Sequence, residues 1–174
     1  MIGSAMANKN KLFFGVFGDL SFFYDMNAIT TPNIGGNVRI MLINNGRGTE
    51  FRNPGHIAAE FGDAADPYMA AASHFGNKSI SLVKDLAYNL DFYYMSAANK
   101  EEYLSLIDQF VDSNISDQPM IFEVFTNTAE ESKAYEAIQY VMVDTKTTLI
   151  TKLKNVVRSV VGQGGIDVIK KVIR

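Results

Sequence analysis

The sequence predicts an α/β fold: a three-layer, doubly wound, mainly parallel sheet with a helical C-terminal tail. Three observations lead there. Short apolar runs of strand length alternate with segments whose apolar residues recur at helical spacing. The runs are apolar on successive residues, as in parallel strands buried on both faces. Strands that alternate with helices imply crossover connections and helices on both faces of one sheet.

Residues 2–8 are small and apolar and fit one or two turns of helix. Asn8-Lys9-Asn10-Lys11 is a polar turn into a first strand, Leu12 to Phe17, apolar on both faces. The chain then turns at Gly18. Ser21 is the expected N-cap of a helix over Phe22 to Ile29, with Phe22, Phe23, Met26 and Ile29 at helical spacing. Pro32, Gly35 and Gly36 mark a loop before strand two, Val38 to Ile43. Residues 45–66 are the least regular stretch, with glycines at 46, 48, 55 and 62. A loop of this length in a small domain is often a functional lid.

Asp66-Pro67 has the pattern of an N-cap followed by proline at the first helical position, opening a helix that stops near Gly76. Ser79 or Ser81 caps the next helix, with Leu82, Val83, Leu86 and Leu90 on one face. Phe92 to Ser96 is strand three. Asn99 and Glu102 have capping-box spacing, and the helix they open carries Tyr103, Leu104, Ile107, Phe110 and Val111 on one stripe. Pro119 to Phe125 is strand four. From Thr126 the pattern is helical to the end, basic and amphipathic, with Gly162-Gln163-Gly164-Gly165 as a break. This tail reads as a helix pair packed on the sheet or on a neighbour. A membrane-surface helix is the alternative, against which stand the absence of Trp and the β-branched apolar residues.

Composition excludes several classes. The 174 residues carry a net charge of −3 and no basic stripe with interleaved aromatics, so nucleic acid is not the expected partner. With no cysteine, disulfides and thiolate metal sites are ruled out. No apolar run approaches the roughly 18 residues of a membrane span. The amino terminus has no basic leader. The default compartment is the cytoplasm. The sequence has no Walker loop and no nucleophile elbow. A receiver-like domain phosphorylated on Asp19 would need an acidic pair at an earlier strand end, and none is present.

The chemistry gathers at two strand ends. Gly18-Asp19-Leu20-Ser21 follows the first strand, and Asn44-Asn45-Gly46-Arg47-Gly48 follows the second. Each has an ordinary explanation. A carboxylate at Asp19 suits a helix amino terminus, and Asn-Gly is a common turn. Together they offer a carboxylate oxygen, an amide oxygen and the carbonyls of a Gly-rich turn. These are hard ligands suited to Mg²⁺ shared with phosphate oxygens. In open α/β sheets, ligands bind at the carboxyl ends of strands. Among weaker candidates, Arg47, Glu50, Arg52 and His56 in the long loop could reach a carboxylate substrate or lie solvated, and His74 reads as structural.

The run Gly18-Asp19-Leu20-Ser21-Phe22-Phe23-Tyr24-Asp25-Met26-Asn27, followed by Asn44-Asn45, resembles the diphosphate-binding motif of thiamine diphosphate-dependent enzymes. That motif runs Gly-Asp-Gly, a spacer of this size, then Asn-Asn. The Gly-Asp-Leu-Ser-Phe form with Asp-Met-Asn looks closest to the menaquinone-pathway synthase that joins 2-oxoglutarate to isochorismate, the MenD-like group. The resemblance covers about residues 1–130. Leu20 stands where most of the family has Gly. Asn45-Gly46-Arg47-Gly48-Thr49-Glu50-Phe51 differs from the Gly-rich run ending in Ile-Phe of the menaquinone enzyme.

The resemblance implies a thiamine diphosphate-binding fold over residues 1–128, the diphosphate (PP) domain, with 129–174 as a helical extension. It implies thiamine diphosphate and Mg²⁺ as cofactors. Asp19 and the Asn45 side chain would bind Mg²⁺ with the backbone carbonyl of Arg47, while Gly18, Leu20 and Ser21 would lie against the diphosphate. The family binds its cofactor between two domains, and the pyrimidine-binding one has no counterpart in this chain. The expected partner is therefore such a domain, on a further segment or on a partner chain in a homo- or hetero-oligomer. The expected substrate is a small 2-oxo acid, and the chain alone is not expected to be active. A truncated, non-catalytic module that keeps the fold and oligomerises is the alternative.

Overall fold

Four parallel strands in the order β1-β2-β4-β3 form the sheet in a computed structural model of the chain. The structure describes residues 1–53, 56–65, 68 and 79–142, the last four for their backbone only. The chain divides into two units, Met1–Ser132 and Lys133–Arg174. The first holds α1 (Ile2–Ala7), β1 (Phe13–Gly18), α2 (Asp19–Tyr24), β2 (Val38–Asn44), α3 (Leu82–Asn89), β3 (Tyr93–Ala97), α4 (Lys100–Phe110) and β4 (Met120–Phe125). A fifth helix, α5 (Thr128–Met142), begins in the first unit. The predicted helix at 66–76, apart from Tyr68, and the tail beyond 142 lie outside the described residues, as does His74.

The sheet has a core on each face. Val38, Ile40 and Leu42 of β2 and Ile121 of β4 meet Ala5, Phe22, Phe23, Val83 and Ala87 from α1, α2 and α3. On the other face Phe110 of α4 packs with Met95, Met120 and Phe122. Alternation along each strand explains the division, since successive side chains point to opposite faces. Fully burying a side chain such as Leu42 or Ile121 contributes roughly 1.5–3 kcal/mol. Connections through α2 and α3 cover one face, and the connection through α4 covers the other. This is the doubly wound, three-layer arrangement the sequence predicts.

Three local predictions are corrected. Among the described strands β1 lies at the edge of the sheet and pairs only with β2. It is not buried on both faces: Val16 is 67% and Phe14 46% exposed. Ser21 does not cap a helix. Gly18 ends the strand in an extended conformation at the N-cap, so Asp19 already opens α2, and Ser21 lies inside it. That helix stops at Tyr24, and a 3₁₀ turn over Met26–Thr30 follows. Leu104 on α4 and Val111 just after it are exposed. Tyr103, Leu106, Ile107 and Phe110 hold the apolar face, because Leu104 lies about 100° around the helix from Tyr103. The Asn99 cap is present, with the return bond one residue earlier than in a standard capping box: Asn99 Oδ1 accepts the Glu102 N–H at 2.9 Å, and Glu102 Oε2 accepts the Ala98 N–H at 2.8 Å.

Two polar anchors set the frame around the strand starts. The Asn37 amide donates to the carbonyls of Ala5, Asn8 and Lys11 at 3.0–3.2 Å, tying α1 and its turn to β2. Arg39, 1% exposed on β2, donates to the carbonyls of Phe110 and Asn114 at 2.7 Å each. It thereby satisfies the carboxyl end of α4, whose last carbonyls have no partner within the helix.

Candidate diphosphate and cation site

Strand register brings the two motif segments side by side. Gly18 pairs with Ile43, so Asp19 and Asn44 are the next residues at adjacent strand ends. Asn44 pairs in turn with Phe125 of β4, and the Thr126 N–H donates to the Asn44 carbonyl at 3.0 Å. The carboxyl ends of β1, β2 and β4 thus form one rim. Asp19 is buried there, at 2% exposure. Beside it, among the described residues, a Cβ added to Gly18 would meet nothing within 4 Å, so there is room at the strand end.

The turn after β2 is built from its own side chains. Asn44 Oδ1 accepts the Gly46 N–H at 3.2 Å and Asn45 Oδ1 accepts the Arg47 N–H at 2.9 Å. Gly46 takes φ +74°, a conformation that strains any residue with a Cβ. At Gly48 an added Cβ would come within 2.8 Å of the Phe51 ring and 3.1 Å of Leu20 Cδ2. The first motif segment therefore touches the second through Leu20 and Gly48.

Beneath the rim lies a buried polar network. Glu123 of β4 is 1% exposed. Its Oε1 accepts Asn44 Nδ2 at 2.7 Å and its Oε2 accepts the Tyr94 hydroxyl at 2.6 Å. Burial raises the Glu123 carboxyl above its usual range, the two hydrogen bonds oppose that, and the charge of Asp19 adds to it. Burial, then the hydrogen bond to Glu123, raises the Tyr94 hydroxyl. At the other side of the turn, Asn45 Nδ2 donates to Thr49 Oγ1 at 2.5 Å and to Glu131 Oε2 at 2.6 Å.

Among the described residues, no three His, Cys, Asp or Glu side chains gather to hold a metal. A cation at this rim would draw on one carboxylate together with amide and carbonyl oxygens. That donor set is hard and under-charged, which suits Mg²⁺ completed by phosphate oxygens.

No protein-family model matches the chain. Curated relatives do. Over 133 residues, or 76% of the chain, it is 35% identical to the 2-succinyl-5-enolpyruvyl-6-hydroxy-3-cyclohexene-1-carboxylate synthase of Bacteroides fragilis. The synthase of the same name from Phocaeicola vulgatus is 36% identical over 132 residues, and that of Christiangramia forsetii 32% over 126. The chain is homologous to a segment of these synthases. It spans only 20–22% of their length. The relatives carry the name of the synthase group that the Gly18-to-Asn27 run resembles.

Each expected site residue has a defined place in the structure. Gly18 and Asp19 are at the rim, and Leu20 bridges to the second turn. Asn45 and Arg47 form that turn. Ser21 is exposed and lines a groove of about 390 Å³ with Phe17, Phe22, Asp25, Met26 and Ile40. In the loop after β2, Arg52 and Arg47 reach Asp63 of the chain itself, at 2.9 and 3.5 Å. Arg52 first, then Arg47, holds the Asp63 carboxyl below its usual range. His56 is exposed, its Nδ1 accepting the Ala58 N–H and its ring edge-on to Phe51.

Sequence reasoning missed Tyr94, Glu123 and Glu131. One signal was available: Glu123 is the single charge in the apolar run Met120 to Phe125. A charge placed in a buried strand needs partners. Glu131 carried no such signal, because acidic residues in a first helical turn are ordinary.

Proposed function

We propose that the chain is the diphosphate- and Mg²⁺-binding portion of a thiamine diphosphate-dependent enzyme acting on a small 2-oxo acid, in the manner of the MenD-like group. The carrying observation is the Gly18–Ile43 register, which sets Asp19 and Asn44-Asn45 at neighbouring strand ends. Similarity to the synthases over three-quarters of the chain supports the same reading. The Asp19 carboxylate, Asn45 Oδ1 and the Arg47 carbonyl would hold Mg²⁺. Gly18, Leu20 and Ser21 would border the diphosphate, in the room that the described residues leave beside Gly18.

When bound, thiamine diphosphate supplies the carbanion chemistry of decarboxylation and carboligation. The role of this chain is to hold the diphosphate and exclude water on one side. A pyrimidine-binding domain, on another segment or a partner chain, completes the site, so this chain alone is inactive. Among the described residues no helix is long and apolar enough to cross a membrane, and the proposed setting is the cytoplasm. Calorimetric titration with Mg²⁺ and thiamine diphosphate tests the proposal. Binding by the wild type and its loss in Asp19→Ala support it; equal behaviour of the two proteins overturns it.

The second reading, a non-catalytic module that assembles with other copies, is favoured by one observation: Phe14 and Val16 expose apolar surface on edge strand β1. A monomer in solution that binds the cofactor tightly would refute it.

A further inference from the structure

Glu131 lies outside the motif, on the first turn of α5, yet it holds the motif's second turn. Its Oε2 accepts Asn45 Nδ2 at 2.6 Å and Thr49 Oγ1 at 2.9 Å, and its Oε1 accepts the Thr126 hydroxyl. The backbone there is itself anchored. Asn127 Oδ1 accepts the Ala129 N–H at 2.8 Å, and the Asn127 carbonyl accepts the Glu131 N–H at 3.0 Å. Thr49 closes a triangle, accepting from Asn45 and donating to Glu131.

Two neighbours together set the orientation of the Asn45 amide, the Arg47 N–H on one side and the Glu131 carboxylate on the other. A primary amide can present either its oxygen or its NH₂ to a given side. A carboxylate only accepts hydrogen bonds. Facing Glu131, Asn45 must offer its NH₂, and its oxygen is turned to the opposite side, where it meets the Arg47 N–H at 2.9 Å. With the amide reversed, NH₂ would stand where an oxygen is needed, and no cation could be held there.

We propose that Glu131 is a positioning residue: it fixes the Asn45 amide with its oxygen on the Arg47 side and thereby sets the cation affinity of the turn. The proposal rests on the reading of Asn45 as a Mg²⁺ ligand. Groups that orient metal ligands in this way typically change metal affinity by about 10–100-fold when removed.

The test uses the full chain as wild type, Glu131→Ala and Glu131→Gln. Mg²⁺ is titrated by calorimetry in the presence of thiamine diphosphate, with thermal melts as a check on folding. Glutamine keeps an oxygen toward Asn45 and Thr49, loses the charge, and turns its NH₂ toward the Thr126 hydroxyl, which rotates to accept it. Mg²⁺ affinity falls about tenfold or more in Glu131→Ala and is largely restored in Glu131→Gln. Equal affinity of wild type and Glu131→Ala, with Asp19→Ala still defective, overturns this proposal and leaves the cofactor reading standing. Equal weakening of both Glu131 variants also overturns it, because charge and not orientation would then be the cause. A wild type that binds no Mg²⁺ overturns both. A second readout needs no ligand and no variant. In the wild-type chain, the Asn45 side-chain amide protons exchange with water more slowly than those of exposed Asn27, measured by nitrogen-resolved NMR. Equally fast exchange overturns the proposal.

Discussion

Asn44 and Glu123 are joined across neighbouring strands, Asn44 Nδ2 donating to Glu123 Oε1 at 2.7 Å with both side chains buried. Since Asn44 Oδ1 in turn accepts the Gly46 N–H, this contact carries the position of β4 into the turn that follows β2. Glu123 also accepts the Tyr94 hydroxyl from β3. One carboxyl thus ties β2, β3 and β4 together.

Removing it strands the buried Asn44 amide and the half-buried Tyr94 hydroxyl. Glu123→Ala lowers unfolding stability by roughly 2–4 kcal/mol, since each unsatisfied buried group costs about 1–3 kcal/mol. Glu123→Gln keeps the shape and one acceptor and costs less than half as much. Urea denaturation of the three proteins measures both. A Glu123→Ala variant as stable as the wild type would refute the network's structural role.

Tyr94 gives the network a signature in pH. Burial and the bond to Glu123 raise its hydroxyl above the ordinary value of 10.0. The folded chain therefore keeps this proton at pH values where the unfolded chain has lost it. The contribution is fully present below pH 10.0 and is lost as pH rises from there toward the folded-state value. In Tyr94→Phe this alkaline loss is reduced, while stability at neutral pH falls by about 1 kcal/mol. Denaturation curves from neutral pH upward check both signs.

The contact between Leu20 and Gly48 joins the two halves of the motif and leaves no room for a Cβ on Gly48. Gly48→Ala destabilises by about 1–3 kcal/mol through overpacking against Phe51 and Leu20. Because the second turn must then shift relative to the first, Mg²⁺ affinity falls as well. A Gly48→Ala chain with unchanged stability and affinity would remove this contact from the account.

Much of this architecture was legible from local pattern. β2, β3 and β4 stand where apolar runs of strand length stand, and the Asn99–Glu102 cap follows from its spacing alone. The pairing of Gly18-Asp19 with Asn44-Asn45 was legible because both follow such runs. The exposure of Val16 was not: an edge strand and a central one share the same apolar composition, and strand order is decided by long-range pairing. Ser21 was misplaced as a cap because the strand end at Gly18 passes into helix with no intervening residue. The links from Glu123 to Asn44 and Tyr94, and from Glu131 to Asn45, join residues far apart in the chain; strand register brings the first together, and the helix that follows β4 brings the second.

The proposed function requires one cation at this rim, shared by Asp19 and a bound diphosphate. Phosphorus NMR of thiamine diphosphate in the presence of the chain and trace Mn²⁺, a paramagnetic stand-in for Mg²⁺, tests it most directly. Both phosphorus signals broaden well beyond the level set by Mn²⁺ and thiamine diphosphate alone when wild-type chain is added, and Asp19→Ala removes that excess. Broadening that is the same with wild type, with Asp19→Ala and with no protein would contradict the proposal.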